Sequence, residues 1–175
     1  MDSLGRGYFL RRFNKGDVSP FFEMIKTEKI AEHMRDSFPR TLEDVYEFVE
    51  ASETGRTEDY AIEYENTLVG GISICKMNDD LKSYEIGCMW IRESYRRNGI
   101  AKTATCKLAK RIFNDFGVSW AVIRVLNSNQ YVKKIVMDMG FVYNPNRNVI
   151  YPTKTGPKLL CFYQTTQDRL LGEAI

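Results

Sequence analysis

A basic segment that contains a glycine follows an apolar run near the middle of the chain. Arg96, Arg97, Asn98 and Lys102 surround Gly99, and a stretch with helical spacing of apolar residues comes next. The first turn of a helix leaves backbone N–H groups unpaired, and the helix dipole adds positive potential there. A small residue at such a turn lets an anion approach the backbone. The segment therefore favours binding of a phosphate or pyrophosphate group.

Other nucleotide-binding patterns do not fit this segment. A P-loop of the form GxxxxGK[ST] needs a glycine five residues before Gly99, and Ser94 stands there. The dinucleotide-binding pattern GxGxxG is absent from the sequence. On these residues alone, a solvated basic loop that only starts a helix stays an open alternative.

The same segment resembles a known family of enzymes. Residues 96–101, with the sequence RRNGIA, match the pattern [Q/R]xxGx[G/A] of the GNAT family of N-acetyltransferases. A helix that begins at Asn129 and is followed by Gly140-Phe141 is similar to a second element of that family. The resemblance implies a GNAT-like fold, acetyl-CoA as cosubstrate, and transfer of the acetyl group to an amine.

The N-terminal part is similar to the branch of the family that includes ribosomal-protein N-terminal acetyltransferases. The matching residues are Leu10-Arg11, Asp17, Thr41-Leu42-Glu43-Asp44 and Glu85-Ile86-Gly87. The resemblance thus covers about residues 8 to 142. Many acetyltransferases share the branch pattern, so it implies fold and cosubstrate more strongly than the acceptor. A protein N-terminus is slightly favoured over a small-molecule amine.

The resemblance also implies where acetyl-CoA binds. The cosubstrate would lie where the strand ending near Trp90 diverges from the strand at 120–125, with its pyrophosphate on backbone N–H groups. A backbone N–H of residues 89–91 would polarise the thioester carbonyl. Asn129 would contact the pantetheine or cap its helix. The predicted cosubstrate-binding residues are Met89, Trp90, Ile91, Arg96, Arg97, Asn98, Gly99, Ile100, Ala101, Lys102 and Asn129.

The attacking amine must be neutral, so the reaction needs a base, used directly or through water. Glu85 is the candidate, because it is a charged residue within an apolar strand segment. Regular strand alternation would place it on one face with Gly87, Met89 and Ile91. The alternatives are that Glu85 lies at a solvated strand edge or pairs with an arginine.

A group that returns a proton to the CoA thiolate is harder to identify. The tyrosine and serine positions that serve this purpose in related enzymes correspond here to Val136 and Val132. Tyr131 is the candidate acid, with Tyr143 and Ser128 as alternatives. The CoA thiolate is also a fair leaving group, so a dedicated acid can be dispensable.

Composition limits the other classes of function. The chain has 175 residues, of which 43% are hydrophobic, which fits a single domain over residues 1–175. With 25 basic and 23 acidic side chains it carries no excess charge that would predict nucleic acid or a membrane surface as partner. Neither a signal peptide, a membrane-spanning run, nor a metal-ligand pattern occurs, since His33 is the single histidine. We expect a cytoplasmic protein, monomeric or homodimeric, without metal.

Hydrophobic patterning predicts a mixed α+β fold with about seven strands, mostly antiparallel, and about four helices. Ser19 and Pro20 would open the first helix, and Thr41 with Asp44 would cap the second over 42–52. The other helices are predicted at 99–116 and 129–139. The helix at 99–116 would form the crossover of a βαβ unit. The predicted strands are 8–13, 59–64, 68–76, 83–92, 120–125, 141–151 and 158–166.

Three functional hypotheses follow. The first is an acyltransferase that moves an acetyl group from acetyl-CoA to a primary amine by direct attack. The second is an acyl-CoA-binding module without catalysis, suggested by Val132 and Val136. The third, a nucleic-acid binder, ranks last because one basic turn is a small footprint; it would use Arg92, Arg96, Arg97, Lys102 and Lys107.

Overall fold

The computed structural model describes residues 1–28, 30, 34, 38–78, 82–153 and 156–170. Within these residues the chain forms four α-helices, namely α1 (Val18–Thr27), α2 (Leu42–Glu53), α3 (Ile100–Phe116) and α4 (Gln130–Asp138). The strands in the same residues are β1 (Asp2–Gly5), β2 (Tyr8–Arg12), β3 (Glu58–Tyr64), β4 (Thr67–Lys76), β5 (Tyr84–Ile91), β6 (Ala121–Leu126), β7 (Val142–Tyr143), β8 (Val149–Tyr151) and β9 (Lys158–Thr165).

The strands form one mixed sheet in the order β1-β2-β3-β4-β5-β6-β9-β7, with β8 paired to β9. The predicted α+β class and mostly antiparallel sheet are therefore confirmed. The described residues contain more strands than predicted for two reasons. In β1 only Leu4 is buried, so the sequence has no apolar run there that would predict a strand. The predicted strand at 141–151 is divided into β7 and β8 by a 3-10 turn, Pro145–Arg147, because proline cannot donate to a ladder.

The chain divides into two compact units. One contains Met1–Ile74 and Cys88–Ala104, and the other contains Cys75–Gly87 and the described residues 105–153 and 156–170. The division falls inside β4, β5 and α3, so neither unit is a separate stretch of sequence. A single domain over 1–175 stays a prediction.

The core of the first unit is built from aromatic side chains on α1 and α2. Phe21 is fully buried and its ring stacks on Trp90 of β5 at 4.8 Å between centroids. The rings of Phe48 and Phe38 contact the Phe21 ring edge-on, with 5.6 and 5.8 Å between centroids. Each such pair contributes about 1 kcal/mol beyond the area it buries. This cluster fixes the C-terminal end of β5 against α1.

The start of α1 differs from the prediction. Asn14 caps a 3-10 turn, Lys15–Asp17, through a capping box, and α1 begins at Val18. Ser19 is therefore not the N-cap, and Pro20 is the third helical residue. Proline is tolerated there because N–H groups of the first turn have no partner within the helix.

The second unit contains the parallel crossover. Tyr84 pairs with Ala121 and Glu85 with Val122 in the parallel direction, which confirms the βαβ unit around α3. The Tyr84 ring stacks on Phe116 near the end of α3, at 4.5 Å. β6 also pairs antiparallel with β9 along its whole length. The strand predicted at 120–125 corresponds to β6, which lies between β5 and β9 in the sheet.

The predicted capping box at the start of α2 is present. The Asp44 N–H donates to the Thr41 hydroxyl at 3.1 Å, and Asp44 Oδ2 accepts the N–H of Thr41 at 2.9 Å. The same oxygen accepts the N–H of Arg40 at 2.9 Å. These bonds satisfy donors that the helix leaves unpaired.

We expect the pH dependence of unfolding to report this cap. Backbone hydrogen bonds from Arg40 and Thr41 lower the pKa of Asp44 below its ordinary value of 3.8. Such a group stabilises the fold fully above 3.8, and the contribution is lost as pH falls through the lower folded pKa. The stability gap between wild type and Asp44→Asn, measured by urea unfolding, should be largest near neutral pH and shrink below about pH 4.

Glu43→Gln is the matched control, because Glu43 is a first-turn carboxylate outside the capping box. Its stability gap should stay small throughout. An Asp44→Asn gap that does not change with pH would contradict the role of the charged cap.

Candidate functional site

The turn between β5 and α3 presents an open helix start. Arg97 and Gly99 both have positive φ, 66° and 75°. The first helical bond runs from the Thr103 N–H to the Gly99 carbonyl at 3.1 Å, so the N–H groups of residues 100–102 precede it. A Cβ added at Gly99 would meet nothing within 4 Å. Donors that precede the first helical bond, the helix dipole and the open space together suit an anion.

The cations of this turn are not equivalent. Arg96 Nε donates to the Ile91 carbonyl at 2.9 Å, and its guanidinium lies 3.8 Å from Glu28. Arg97 is exposed and Lys102 half-buried. Arg96 thus braces the turn, and the binding of an anion by Arg97 and Lys102 stays a prediction.

Glu28, at the end of α1, was missed by sequence reasoning. Its carboxylate accepts the N–H of Glu93 at 2.8 Å and lies 3.5 Å from Arg92 Nε. Only 16% of its side chain is exposed. Glu28 lies 65 residues from Glu93 in sequence, so no local pattern could have revealed the contact.

The end of β5 is held closely by two glycines of β4 that were also missed. A Cβ at Gly70 would lie 2.7 Å from the Trp90 carbonyl oxygen, and one at Gly71 would lie 2.6 Å from the Trp90 indole nitrogen. Any larger residue would push Trp90 away. The adjacent pair Gly70-Gly71 within a strand is the sequence signal that marks such close approach.

Cys88 interrupts the regular geometry of β5, with φ of 47°. Glu85 and Gly87 share a face, because a Cβ at Gly87 would contact the Glu85 side chain at 3.8 Å. Beyond Cys88, the consecutive residues Trp90 and Ile91 are both buried. The predicted common face of Glu85, Met89 and Ile91 stays a prediction, and the left-handed Cys88 interrupts the regular alternation on which it is based.

Glu85 forms an ion pair with Arg124 of β6. Arg124 Nε donates to Glu85 Oε1 at 3.0 Å, and Arg124 Nη2 donates to Oε2. Glu85 is 4% exposed. These hydrogen bonds raise the pKa of Arg124 above its ordinary value. The arginine-paired alternative is the arrangement observed.

The predicted residues of α4 lie at its solvent-facing start. Asn129 accepts the Val132 N–H at 3.1 Å and so caps the helix. Tyr131 is 71% exposed, whereas Val136 is buried with 2% exposed. The Tyr143 hydroxyl accepts a hydrogen bond from Asn148 at 2.7 Å. The helix cap is thus one observed role of Asn129.

The predicted residues are distributed over the two units. Residues 89–102 form one continuous strand, turn and helix start in the first unit. Glu85, Asn129 and Tyr131 lie in the second unit. His33 lies outside the described residues. Among the residues that are described, no group of three His, Cys, Asp or Glu side chains could hold a metal, and no helix could span a membrane.

Comparison with known proteins gives a family match over most of the chain. A model of the acetyltransferase (GNAT) domain matches residues 8–142. A search of curated proteins gives no significant match.

Solved structures share the fold. A GNAT-family acetyltransferase from Bacillus anthracis is 18% identical with a TM-score of 0.78, and the alignment covers 93% of this chain and 96% of that one. RimL, a ribosomal L7/L12 alpha-N-protein acetyltransferase, is 17% identical with a TM-score of 0.77, covering 94% and 92%. Spermidine N-acetyltransferase from Vibrio cholerae, in complex with CoA and spermine, is 14% identical with a TM-score of 0.74, covering 93% and 97%.

Proposed function

The chain belongs to the GNAT acetyltransferase family, and from this premise we propose that it acetylates the α-amine of a protein or peptide by direct attack on acetyl-CoA. It is an acetyl-CoA-dependent N-acetyltransferase; the class of acceptor and the roles of individual residues are our proposal. The observation that carries the acetyl-CoA part of the proposal is the open start of α3 beside Gly99, where an added Cβ would meet nothing within 4 Å. The choice of an α-amine follows the resemblance to ribosomal-protein N-terminal acetyltransferases and the fold shared with RimL, a ribosomal L7/L12 alpha-N-protein acetyltransferase.

We propose that the pyrophosphate of acetyl-CoA binds the N–H groups of residues 100–102, with Arg97 and Lys102 adding positive charge. Three features support this. The helix dipole favours an anion at these groups, Gly99 leaves the approach open, and Arg97 is exposed. The Asn98 side-chain amide donates to the Tyr95 carbonyl at 3.3 Å. This hydrogen bond stabilises the turn and is not a contact with the anion.

We propose that a backbone N–H of residues 89–91 polarises the thioester carbonyl. A donor aimed at the carbonyl oxygen stabilises the negative charge that develops when the amine attacks. Precise placement matters for such a donor, and Trp90 stacks on Phe21 and lies closely against Gly70 and Gly71 of β4. The C–S bond then breaks and CoA leaves as the thiolate.

Glu85 is the proposed acceptor of the amine proton, through water. As a member of an ion pair it carries the negative charge that a base needs, while Arg124 competes for the same oxygens. The CoA thiolate takes a proton from Tyr131 or from solvent. Tyr131 is 71% exposed, so it can itself exchange protons with water.

A non-catalytic acyl-CoA-binding module is the second candidate function. The observation in its favour is Val136, which is 2% exposed and occupies the position of the usual tyrosine acid. Turnover measurements separate the two candidates.

Gly99→Asp and Gly99→Asn form a matched pair that tests the anion site. Asp and Asn tolerate a positive φ better than other side chains, and the space beside Gly99 admits either. Only Asp adds negative charge. In calorimetric titration with acetyl-CoA, we expect the Asp variant to bind at least about tenfold more weakly than the Asn variant. Equal affinities of the two variants, or no binding by wild type, would contradict the assignment.

Glu85→Gln tests proton removal. The amide oxygen can still accept a hydrogen bond from Arg124, so the fold should persist while the basic charge is lost. We expect kcat to fall about 100-fold with the KM for acetyl-CoA unchanged. A fall of less than about threefold, together with a lower melting temperature, would show that the ion pair is structural only.

Release of free CoA thiol across a panel of amines tests the acceptor. We expect peptides with a free α-amine to give kcat/KM at least about tenfold above diamines and polyamines. Peptides with blocked N-termini are the control. Turnover of small amines but not peptides would reverse the assignment, and binding of acetyl-CoA with no thiol release from any amine would favour the non-catalytic module.

A further inference from the structure

Helix α1 contacts the strand and turn before α3 at two separate points. Near its middle, Phe21 stacks on Trp90 with an angle of 11° between the ring planes. At its end, Glu28 accepts the N–H of Glu93 at 2.8 Å. Both contacts lie within the first unit.

The two contacts are spaced alike on both partners. Seven positions separate Phe21 from Glu28, which is about 10.5 Å along a helix. Three positions separate Trp90 from Glu93, which is about 10 Å of extended chain. One straight helix can therefore hold both points of the segment without distortion of either element.

Glu28 gathers three groups of the turn. Besides the Glu93 N–H, it lies 3.5 Å from Arg92 and 3.8 Å from Arg96. Its side chain is largely shielded, with 16% exposed, and that of Arg92 is 31% exposed, so this contact is less screened than a surface pair. The Arg96 side chain is 51% exposed, so its contact with Glu28 is the more strongly screened of the two. The contacts direct both guanidinium groups toward α1, and Arg96 is further fixed by its bond to the Ile91 carbonyl.

The turn that follows needs such support. Arg97 has a φ of 66°, a left-handed conformation that a residue other than glycine keeps only when its surroundings hold it. The residues just before Arg97 are those held by Glu28. A turn ordered before the ligand arrives loses less entropy on binding.

We propose that Glu28 is a positioning residue for acetyl-CoA: from the end of α1 it holds Arg92, Glu93 and Arg96 so that the open start of α3 is already in its binding conformation. This inference rests on the proposed binding of acetyl-CoA at that site. Glu28 itself does not touch the reacting atoms. The positioning role also explains why Arg92 and Arg96 support the turn and do not bind phosphate.

Two variants of Glu28 remove its contacts stepwise. Glu28→Gln keeps an oxygen that can accept the Glu93 N–H but loses the charge, and Glu28→Ala loses both. In calorimetric titration with acetyl-CoA, we expect the dissociation constant to rise about threefold for Gln and about tenfold for Ala. The KM for acetyl-CoA should rise in parallel, with kcat and the KM for the amine within about twofold of wild type.

Glu23→Gln is the matched control, because Glu23 is an exposed carboxylate on the same helix whose ion pair with Lys26 stays on α1. It should bind acetyl-CoA like wild type. Arg92→Gln added to Glu28→Gln should weaken binding no further, since the two residues act as one unit.

The results distinguish a failure of the positioning role of Glu28 from a failure of the proposed function. If wild type binds acetyl-CoA and Glu28→Gln binds it equally well, the positioning role is wrong and the proposed function stands. The same holds if Glu28→Gln binds more tightly, since the freed arginines would then contact the phosphates. If wild type itself does not bind, the proposed function fails first. A loss of kcat with unchanged acetyl-CoA affinity would also overturn the inference. Should Glu28→Ala not fold, the Gln variant alone gives the same decision.

Discussion

The placement of Trp90 governs much of the first unit. Its ring stacks on Phe21 at 4.8 Å, a Cβ at Gly71 would lie 2.6 Å from its indole nitrogen, and a Cβ at Gly70 would lie 2.7 Å from its carbonyl oxygen. These close contacts with both its ring and its backbone leave little freedom for the end of β5. Because the turn and α3 follow directly, the geometry of the anion site depends on this contact. The aromatic cluster thus connects core packing to the proposed chemistry.

Charge is arranged locally rather than over the whole protein. The chain has a net charge of +2, yet the start of α3 combines a helix dipole with Arg97 and Lys102. Glu28 neutralises cations that support the turn, and Glu85 is paired with Arg124. Each of these two carboxylates therefore meets a guanidinium, which offsets the cost of burying its charge. At the start of α3, the exposed Arg97 and the half-buried Lys102 are the cations that the proposed function uses.

Local features of the fold could be predicted from the sequence. The capping box of Thr41 and Asp44 depends on residues close together in the chain, so its pattern is visible in the sequence. The βαβ crossover joins strands that are far apart, but its strands and its helix each have a local apolar pattern that predicts them. The left-handed conformation of Cys88 carries no sequence signal, because glycine is the usual marker. The contact of Arg124 with Glu85 joins residues 39 positions apart, and only the folded sheet brings them together. Contacts between residues that are far apart in the chain are the part of the site that the sequence did not predict.

The central claim is that acetyl-CoA binds the open start of α3 through backbone N–H groups. Amide hydrogen exchange, followed residue by residue with and without acetyl-CoA, tests it most directly. The account predicts that exchange slows at residues 100–102, whose N–H groups precede the first helical bond and should otherwise exchange rapidly. Slower exchange only elsewhere in the chain, with residues 100–102 unchanged at saturating acetyl-CoA, would contradict it.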